Sequence, residues 1–193
     1  MKIAIIDYGA GNIQSIKFAV QRLGFEAVLS SNAEEIQNAD KVIFPGVGEA
    51  GSAMRMLRST GLDKLIPNLK QPVLGICLGM QLMCKSSEEG NTTGLGIFDA
   101  EVKKFNADLK VPQIGWNTIT ELEGKLFENV CAEEYVYLVH SYYVPECSDE
   151  IARTNYGVDY STALNRNNFY GVQFHPEKSS KTGEQILKNF LNL

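Results

Sequence analysis

Hydrophobic and polar residues alternate in blocks along the first part of the chain. Short apolar runs at residues 2–7, 25–29 and 41–44 predict buried strands. The segments between them predict helices, one at residues 33–37 and a longer one that Asn12 is expected to cap and Gly24 to end. The longer helix is marked by apolar residues at helical spacing: Ile13, Ile16, Val20 and Leu23. Strands that alternate with helices favour an α/β fold with a mostly parallel central sheet and flanking helices.

The pattern changes to β after residue 94. Stretches rich in β-branched and aromatic residues follow one another, with turn residues between them and little helical periodicity. They cover residues 100–105, 113–119, 135–144, 161–165 and 169–174. We therefore expect additional antiparallel strands in the C-terminal half.

The remaining segments predict connections and a closing helix. Residues 86–94 are polar and predict a loop, and residues 165–168 predict a hairpin turn. Residues 179–193 predict an amphipathic helix, because Ile186 and Phe190 lie on one face. A chain of 193 residues can form one sizeable core, and it contains no linker or repeat. We expect a single domain over residues 1–193.

The chemistry of the chain centres on a turn between a predicted strand and a predicted helix. Its sequence, G-x-C-x-G at residues 75–79, is typical of the cysteine form of a nucleophile elbow. The two flanking glycines permit close backbone packing, and the start of the following helix favours a thiolate. Cys77 is therefore the candidate nucleophile. The alternative is that Cys77 is an ordinary buried cysteine.

A histidine and a glutamate near the end of the chain can assist such a nucleophile. His175 precedes a proline, which favours an extended backbone, and Glu177 lies two residues further on. In an extended chain these two side chains point to the same side. Glu177 can then orient the imidazole while its second nitrogen faces the thiol. His140 has no carboxylate at a matching spacing, so we predict a Cys-His-Glu triad.

The glycine-rich turn at residues 45–51 permits two interpretations. It matches the dinucleotide fingerprint G-x-G-x-x-G, but that motif requires an acidic residue about 20 positions later, at the end of the next strand. The next strand ends at Cys77 instead. We favour a backbone that approaches the reaction site, where an N–H near Val47 and the N–H of Leu78 stabilise an oxyanion. A nicotinamide-binding enzyme is the alternative.

Composition excludes several classes of function. The net charge of −5 gives no basic surface for nucleic acid or membrane, and no apolar run reaches membrane-spanning length. We expect a soluble, cytoplasmic protein. No metal site is expected, because the four cysteines form no C-x-x-C pair. The other three cysteines are expected to be core or incidental thiols: Cys84, Cys131 and Cys147.

Two motifs resemble those of the class I glutamine amidotransferases: GICLGMQ at residues 75–81 and FHPE at residues 174–177. Other segments are similar to the glutaminase subunits of imidazole glycerol phosphate synthases: residues 6–12, 45–48, 112–117, 139–143 and 175–179. This resemblance implies a flavodoxin-like three-layer fold and no cofactor. It also implies that a cysteine hydrolyses the side-chain amide of L-glutamine through a thioester and releases ammonia.

The resemblance implies a role for each matching residue. The triad would consist of Cys77, His175 and Glu177. Val47 and Leu78 would supply the oxyanion-hole amides. Residues near the amino-acid end of glutamine would be Gly48, Gln81, Glu89, Ser141 and Tyr142. Residues at an interface with a partner would be Asn12, Trp116 and Lys178.

The partner implied by the resemblance is a cyclase subunit with a (β/α)₈-barrel fold. In a heterodimer, the barrel would receive the ammonia and form imidazole glycerol phosphate for histidine biosynthesis. Two alternatives stay open. One is a glutaminase subunit of another ammonia-using synthase, such as anthranilate or guanylate synthase, whose motifs match residues 6–12 and 112–117 poorly. The other is a scaffolding subunit with an inactive site.

Overall fold

The computed structural model describes residues 1–9 and 13–193, so the predicted helix cap and partner contact at Asn12 lies outside the described residues. The strands are β1 (Ile3–Ile6), β2 (Ala27–Ser30), β3 (Lys41–Gly46), β4 (Val73–Cys77), β5 (Cys84–Ser87), β6 (Thr92–Thr93), β7 (Phe98–Lys104), β8 (Gln113–Thr118), β9 (Tyr135–His140), β10 (Tyr142–Tyr143), β11 (Glu150–Asn155), β12 (Asp159–Arg166) and β13 (Phe169–Val172). The α-helices are α1 (Ile13–Arg22), α2 (Ala33–Gln37), α3 (Ala50–Thr60), α4 (Leu62–Leu65), α5 (Leu78–Met83) and α6 (Ser180–Leu191).

The central sheet has the strand order β11-β12-β13-β4-β3-β1-β2. From β13 to β2 all neighbouring strands pair in parallel. At the other end β12 is antiparallel to both β11 and β13. The prediction of a mostly parallel sheet that gains antiparallel strands from the C-terminal half is confirmed.

Helices cover both faces of this sheet. Successive side chains of a strand point to opposite faces, so Val42 and Phe44 of β3 enter one hydrophobic core while Ile43 enters the other. The first core also contains buried residues of α2, α3, α4 and α5, and the second contains those of α1 and α6. The result is the three-layer α/β arrangement that the resemblance implied. In the part of the chain described, no helix is long and apolar enough to cross a membrane.

Two smaller sheets extend the central one. One has the order β10-β7-β5-β6, and the other is the antiparallel pair of β8 and β9. They correct two predictions. The predicted loop at residues 86–94 is wrong in part, because Ser86 and Ser87 pair with Thr93 and Thr92. Strand pairing overrides the polar composition there. The predicted strand at residues 135–144 is interrupted at Ser141, between β9 and β10.

Helices α3 and α4 and strand β11 have no counterpart among the predicted elements. Helix α3 buries Ala53, Met54 and Leu57 at helical spacing, so its signal was present in the sequence. Small and polar residues in the same stretch make that signal weak. Glu49 caps this helix by accepting hydrogen bonds from the amides of Gly51 and Ser52.

Helix α5 packs against the end of β3 without room for a side chain at the contact. A Cβ atom added to Gly79 would lie 2.0 Å from the carbonyl oxygen of Phe44. A Cβ atom added to Gly46 would lie 2.6 Å from the amide nitrogen of Gly79. Gly46 is the first glycine of the G-x-G-x-x-G match. A glycine is needed at position 46 because β3 and α5 approach each other closely there.

We expect Gly79→Ala to destabilise the fold by about 1–3 kcal/mol, because backbone atoms of β3 and α5 must separate to admit the methyl group. The matched control is Gly51→Ala in α3, where the added Cβ meets side-chain atoms of Glu49, Thr92 and Arg55. Displacing the Glu49 cap would cost about 1 kcal/mol, and the higher helix propensity of alanine offsets about as much, so we expect a net effect within about 1 kcal/mol. Urea unfolding of both variants gives the comparison. Equal unfolding midpoints for the two variants would contradict this account of the packing.

Candidate active site

Cys77 occupies a strained turn between β4 and α5. Its backbone angles are φ 54° and ψ −114°, a region that residues other than glycine rarely adopt. A Cβ atom added to Gly75 would lie 2.9 Å from the amide nitrogen of Met80, so this side of the turn is also closely packed. The predicted elbow is therefore present. Cys77 is buried, yet its side chain lines a cavity.

His175 and Glu177 form a hydrogen-bonded pair, with 2.8 Å between Nδ1 and Oε1. His175 has an extended backbone, as its position before a proline predicted. The predicted extended chain from His175 to Glu177 is wrong, because Glu177 lies in a 3-10 turn, Pro176–Lys178. The turn brings the carboxylate back to the imidazole. Both side chains are almost completely buried, so the bond is shielded from water.

The backbone of His175 is fixed by β9 and by a buried serine. Its amide donates to the carbonyl oxygen of Tyr137 at 2.9 Å. The hydroxyl of Ser179 donates to the carbonyl oxygen of His175 at 2.7 Å and accepts from the amide of Tyr137 at 2.9 Å. Two of these hydrogen bonds join residues 175–179 to β9, and the third joins Ser179 to His175 within that segment.

The charge state of His175 follows from its neighbours. Burial alone would lower the pKa of His175, but Cys77 and then Glu177 outweigh burial and raise this pKa to about 10. Glu177 holds the proton on Nδ1, which leaves Nε2 available for proton transfer. A protonated imidazole beside a cysteine is the arrangement that a thiolate nucleophile requires.

Cys77 and His175 line one cavity of about 350 Å³, which suits a small ligand. Most of the residues predicted for the site line it with them: Val47, Gly48, Leu78, Gln81, Glu89, Ser141, Tyr142 and Lys178. Glu177 lies next to His175, outside this lining. Trp116 does not line the cavity either.

Gln81 uses its side-chain amide nitrogen within the protein. Nε2 donates to the carbonyl oxygen of Tyr142 at 2.9 Å and to Oε1 of Gln173 at 2.7 Å. Both hydrogens of the amide are thereby engaged. Oε1 is the atom that Gln81 can offer to a ligand, and it can only accept a hydrogen bond.

Glu89 gives the cavity a carboxylate. It lies in a 3-10 turn, Glu89–Asn91, and its Oε2 accepts from the amide of Ala50, the first residue of α3, at 2.9 Å. Burial raises the pKa of Glu89, and the amide of Ala50 acts in the opposite direction. A cationic group bound in the cavity would favour the ionised carboxylate. This part of the cavity is suited to an ammonium group.

Sequence reasoning missed several residues of the site. Pro112, Val139 and His140 also line the cavity. Burial lowers the pKa of His140 to about 4, so this imidazole is neutral at pH 7. Its Nδ1 donates to the carbonyl oxygen of Tyr142 at 2.7 Å, which gives it a structural role.

Gln173 is the other missed residue, and its amide nitrogen lies 3.7 Å from the sulfur of Cys77. The sequence contained a signal for this residue. It stands two positions before His175 at the end of a predicted strand, and residues at that spacing in an extended chain point to the same side.

Two of the residues predicted to contact a partner, Trp116 and Lys178, lie beside exposed apolar side chains of β8 and β9. Trp116 packs against Tyr137 with ring centroids 6.0 Å apart, and Nζ of Lys178 lies 5.7 Å from the same ring. Trp116 is 52% exposed. Ile114 and Tyr135, on the same pair of strands, are 63% and 59% exposed. Exposed apolar residues grouped on one pair of strands are typical of an interaction surface.

The chain is similar to known proteins over nearly its whole length. The family model for glutamine amidotransferase class-I matches residues 4–193. The imidazole glycerol phosphate synthase subunit HisH of Bacteroides thetaiotaomicron is 58% identical over 196 aligned positions, which cover 100% of both chains. The subunit of the same name from Yersinia pseudotuberculosis is 48% identical, again over 100% of both chains.

Solved structures show the same fold at lower identity. A putative GMP synthase subunit from Thermoplasma acidophilum superposes with a TM-score of 0.78 at 21% identity, covering 100% of this chain and 92% of the other. PurLQS from Thermotoga maritima gives a TM-score of 0.74 at 16% identity, with 99% and 97% covered. The chain belongs to the class I glutamine amidotransferase family and, within it, to the HisH subunits of imidazole glycerol phosphate synthase.

Proposed function

We propose that this glutaminase subunit hydrolyses L-glutamine through a Cys77-His175-Glu177 triad and delivers the ammonia to a cyclase subunit of imidazole glycerol phosphate synthase. One observation carries the proposal. A strained turn presents Cys77 to the same cavity as His175, whose imidazole is paired with Glu177. Family membership supports the glutaminase activity, and the cavity geometry supports the assignment of residues to steps.

The first half of the reaction forms a thioester. The thiolate of Cys77 attacks the amide carbon of glutamine, and the carbonyl oxygen becomes an oxyanion. The amides of Leu78 and Val47 are the proposed donors to that oxygen. Protonated His175 then gives its Nε2 proton to the departing nitrogen, and ammonia leaves.

The second half restores the enzyme. Neutral His175 takes a proton from water at Nε2 while the water oxygen attacks the thioester carbon. Collapse of this intermediate releases glutamate and returns Cys77 as a thiolate beside a protonated imidazole. Glu177 keeps the Nδ1 proton in place throughout, so the same nitrogen acts in both halves. The sum is glutamine plus water giving glutamate plus ammonia.

We also assign the residues that hold the amino-acid end of the substrate. Oε1 of Gln81 and the carboxylate of Glu89 are acceptors and suit the α-ammonium group. Gly48, Ser141 and Tyr142 line the same cavity, and their amide and hydroxyl donors suit the α-carboxylate. These contacts would hold glutamine in a position that places its amide carbon at Cys77.

The proposed partner is a (β/α)₈-barrel cyclase in a heterodimer. The exposed apolar residues of β8 and β9, which are Ile114, Trp116 and Tyr135, support a docking surface there, together with Lys178. The proposed contact at Asn12 lies outside the described residues. We propose that residues 1–193 act as one glutaminase domain, because both hydrophobic cores pack against one central sheet.

A glutaminase subunit of another synthase is disfavoured by the relatives, since those at 48% and 58% identity over 100% of both chains are HisH subunits. A nicotinamide-binding site is disfavoured by the packing of Gly46 against α5.

The triad is tested with Cys77→Ser in the complex with the cyclase subunit. We expect glutamine-dependent synthesis of imidazole glycerol phosphate to fall at least about 1000-fold, because the nucleophile is lost. Synthesis from added ammonium salt should be unchanged, because it bypasses the glutaminase. Cys131→Ser is the matched control, since Cys131 is an exposed free thiol. Glutamine-dependent turnover that survives Cys77→Ser would refute the assignment.

The substrate contact is tested with Glu89→Gln. Loss of one charged hydrogen-bond partner should raise the KM for glutamine by roughly 10-fold to 100-fold, with a smaller change in kcat. Glu88→Gln is the control, because Glu88 is exposed, pairs with Lys103 and does not line the cavity. Steady-state glutaminase kinetics measure both variants. If the two variants show the same KM, Glu89 does not bind the substrate.

A further inference from the structure

We propose that Gln173 is a further catalytic residue, whose side-chain amide N–H donates to the sulfur of Cys77 and stabilises its thiolate. This inference rests on the proposed role of Cys77 as nucleophile. It adds a neutral hydrogen-bond donor to a site in which His175 supplies the positive charge.

Gln173 is a fully buried polar side chain placed directly at the nucleophile. It follows β13, and its backbone amide donates to the carbonyl oxygen of Thr162 at 2.8 Å, which fixes the start of the side chain. Nε2 lies 3.7 Å from Sγ of Cys77, within the range of N–H···S hydrogen bonds. Most buried polar atoms have hydrogen-bond partners, and one partner of this amide is the sulfur of Cys77.

The orientation of this amide is determined by a chain of hydrogen bonds that begins at Tyr142. A backbone carbonyl can only accept, so the atom of Gln81 that faces the oxygen of Tyr142 must be Nε2. The second hydrogen of Nε2 donates to Gln173, so the atom that receives it must be Oε1. Gln173 therefore turns its own Nε2, and not its oxygen, toward Cys77.

This donor matters most when Cys77 is ionised. A protonated Cys77 can donate to the carbonyl oxygen of Val139, which lies 3.9 Å from Sγ. That interaction is lost in the thiolate, because a carbonyl offers no hydrogen to the sulfur. The N–H of Gln173 then becomes a fixed donor to the negative charge, and it needs no reorganisation during the reaction.

The same chain connects the thiolate with the substrate site. Gln81 donates to Gln173 and also offers Oε1 to a ligand in the cavity. An ammonium group bound there would polarise the amide of Gln81 and strengthen its bond to Gln173. Gln173 would in turn be a better donor to Cys77 when the cavity is filled.

A purely structural role is the competing explanation, because the bond between Gln81 and Gln173 also joins α5 to the end of β13. The two explanations differ in the pH dependence of the thiol. Loss of a structural bond lowers stability at all pH values. Loss of a donor to the thiolate raises the pH at which Cys77 becomes reactive.

The test is alkylation of Cys77 by iodoacetamide as a function of pH, read by mass spectrometry of the peptide that contains Cys77. In Gln173→Met, which removes the amide and keeps an unbranched chain, we expect the midpoint of the rate profile to move up by about one pH unit or more. The kcat for glutamine hydrolysis should fall about 10-fold or more, a larger change than that in KM.

The matched control is Gln113→Met. Gln113 is also a buried glutamine, but its Oε1 accepts from the hydroxyl of Tyr160 and it makes no contact with Cys77 or Gln81. Its substitution should leave the alkylation midpoint unchanged. Gln173→Asn is a second variant, which keeps a polar side chain for folding but draws the N–H away from the sulfur. We expect its midpoint to move in the same direction.

Circular dichroism establishes that Gln173→Met and Gln173→Asn are folded. An unchanged alkylation midpoint in either folded variant would overturn the inference. So would an equal displacement in the Gln113→Met control. Failure of the proposed function has a different signature. In that case Cys77 would react no faster than exposed Cys131 in the unsubstituted chain, and glutamine hydrolysis would survive Cys77→Ser.

Discussion

The contact between the first turn of α5 and the end of β3 is the constraint on which the site depends. Gly79 lies against the carbonyl oxygen of Phe44 so closely that a single methyl group has no space. This packing holds the turn between β4 and α5 in one position, and Cys77 remains at a positive φ that it would otherwise avoid. The strain is local, and two hydrophobic cores on the faces of the sheet support it.

The second half of the site reaches Cys77 through sheet topology. Strand β13 pairs in parallel with β4, with Val172 opposite Ile76, so both strands end at the same edge. The chain that continues from β13 carries Gln173, then His175 and Glu177, past the end of β4. Residues about a hundred positions apart are thereby brought together, and the bonds from Tyr137 and Ser179 prevent the histidine segment from moving away.

Local sequence patterns predicted the parts of this arrangement that depend on neighbouring residues. For that reason the sequence predicted the elbow at Cys77, the pairing of His175 with Glu177 and the alternation of strands and helices. Contacts between residues far apart in the sequence could not be predicted in this way. The parallel pairing of Ser86 and Ser87 with β7 and the hydrogen bonds of Gln81 depend on segments that are not adjacent in the sequence.

The central claim is that the fold maintains a protonated His175 beside Cys77 near neutral pH, and imidazole NMR tests it directly, since the chain has only two histidines. We expect His175 to titrate near pH 10 and His140 near pH 4, against an ordinary value of 6.5. The stabilisation from charged His175 is therefore present below pH 6.5 and is lost as pH rises through about 10. Cys77→Ala should lower the pKa of His175. A His175 that titrates near 6.5 in the unsubstituted chain would contradict the account.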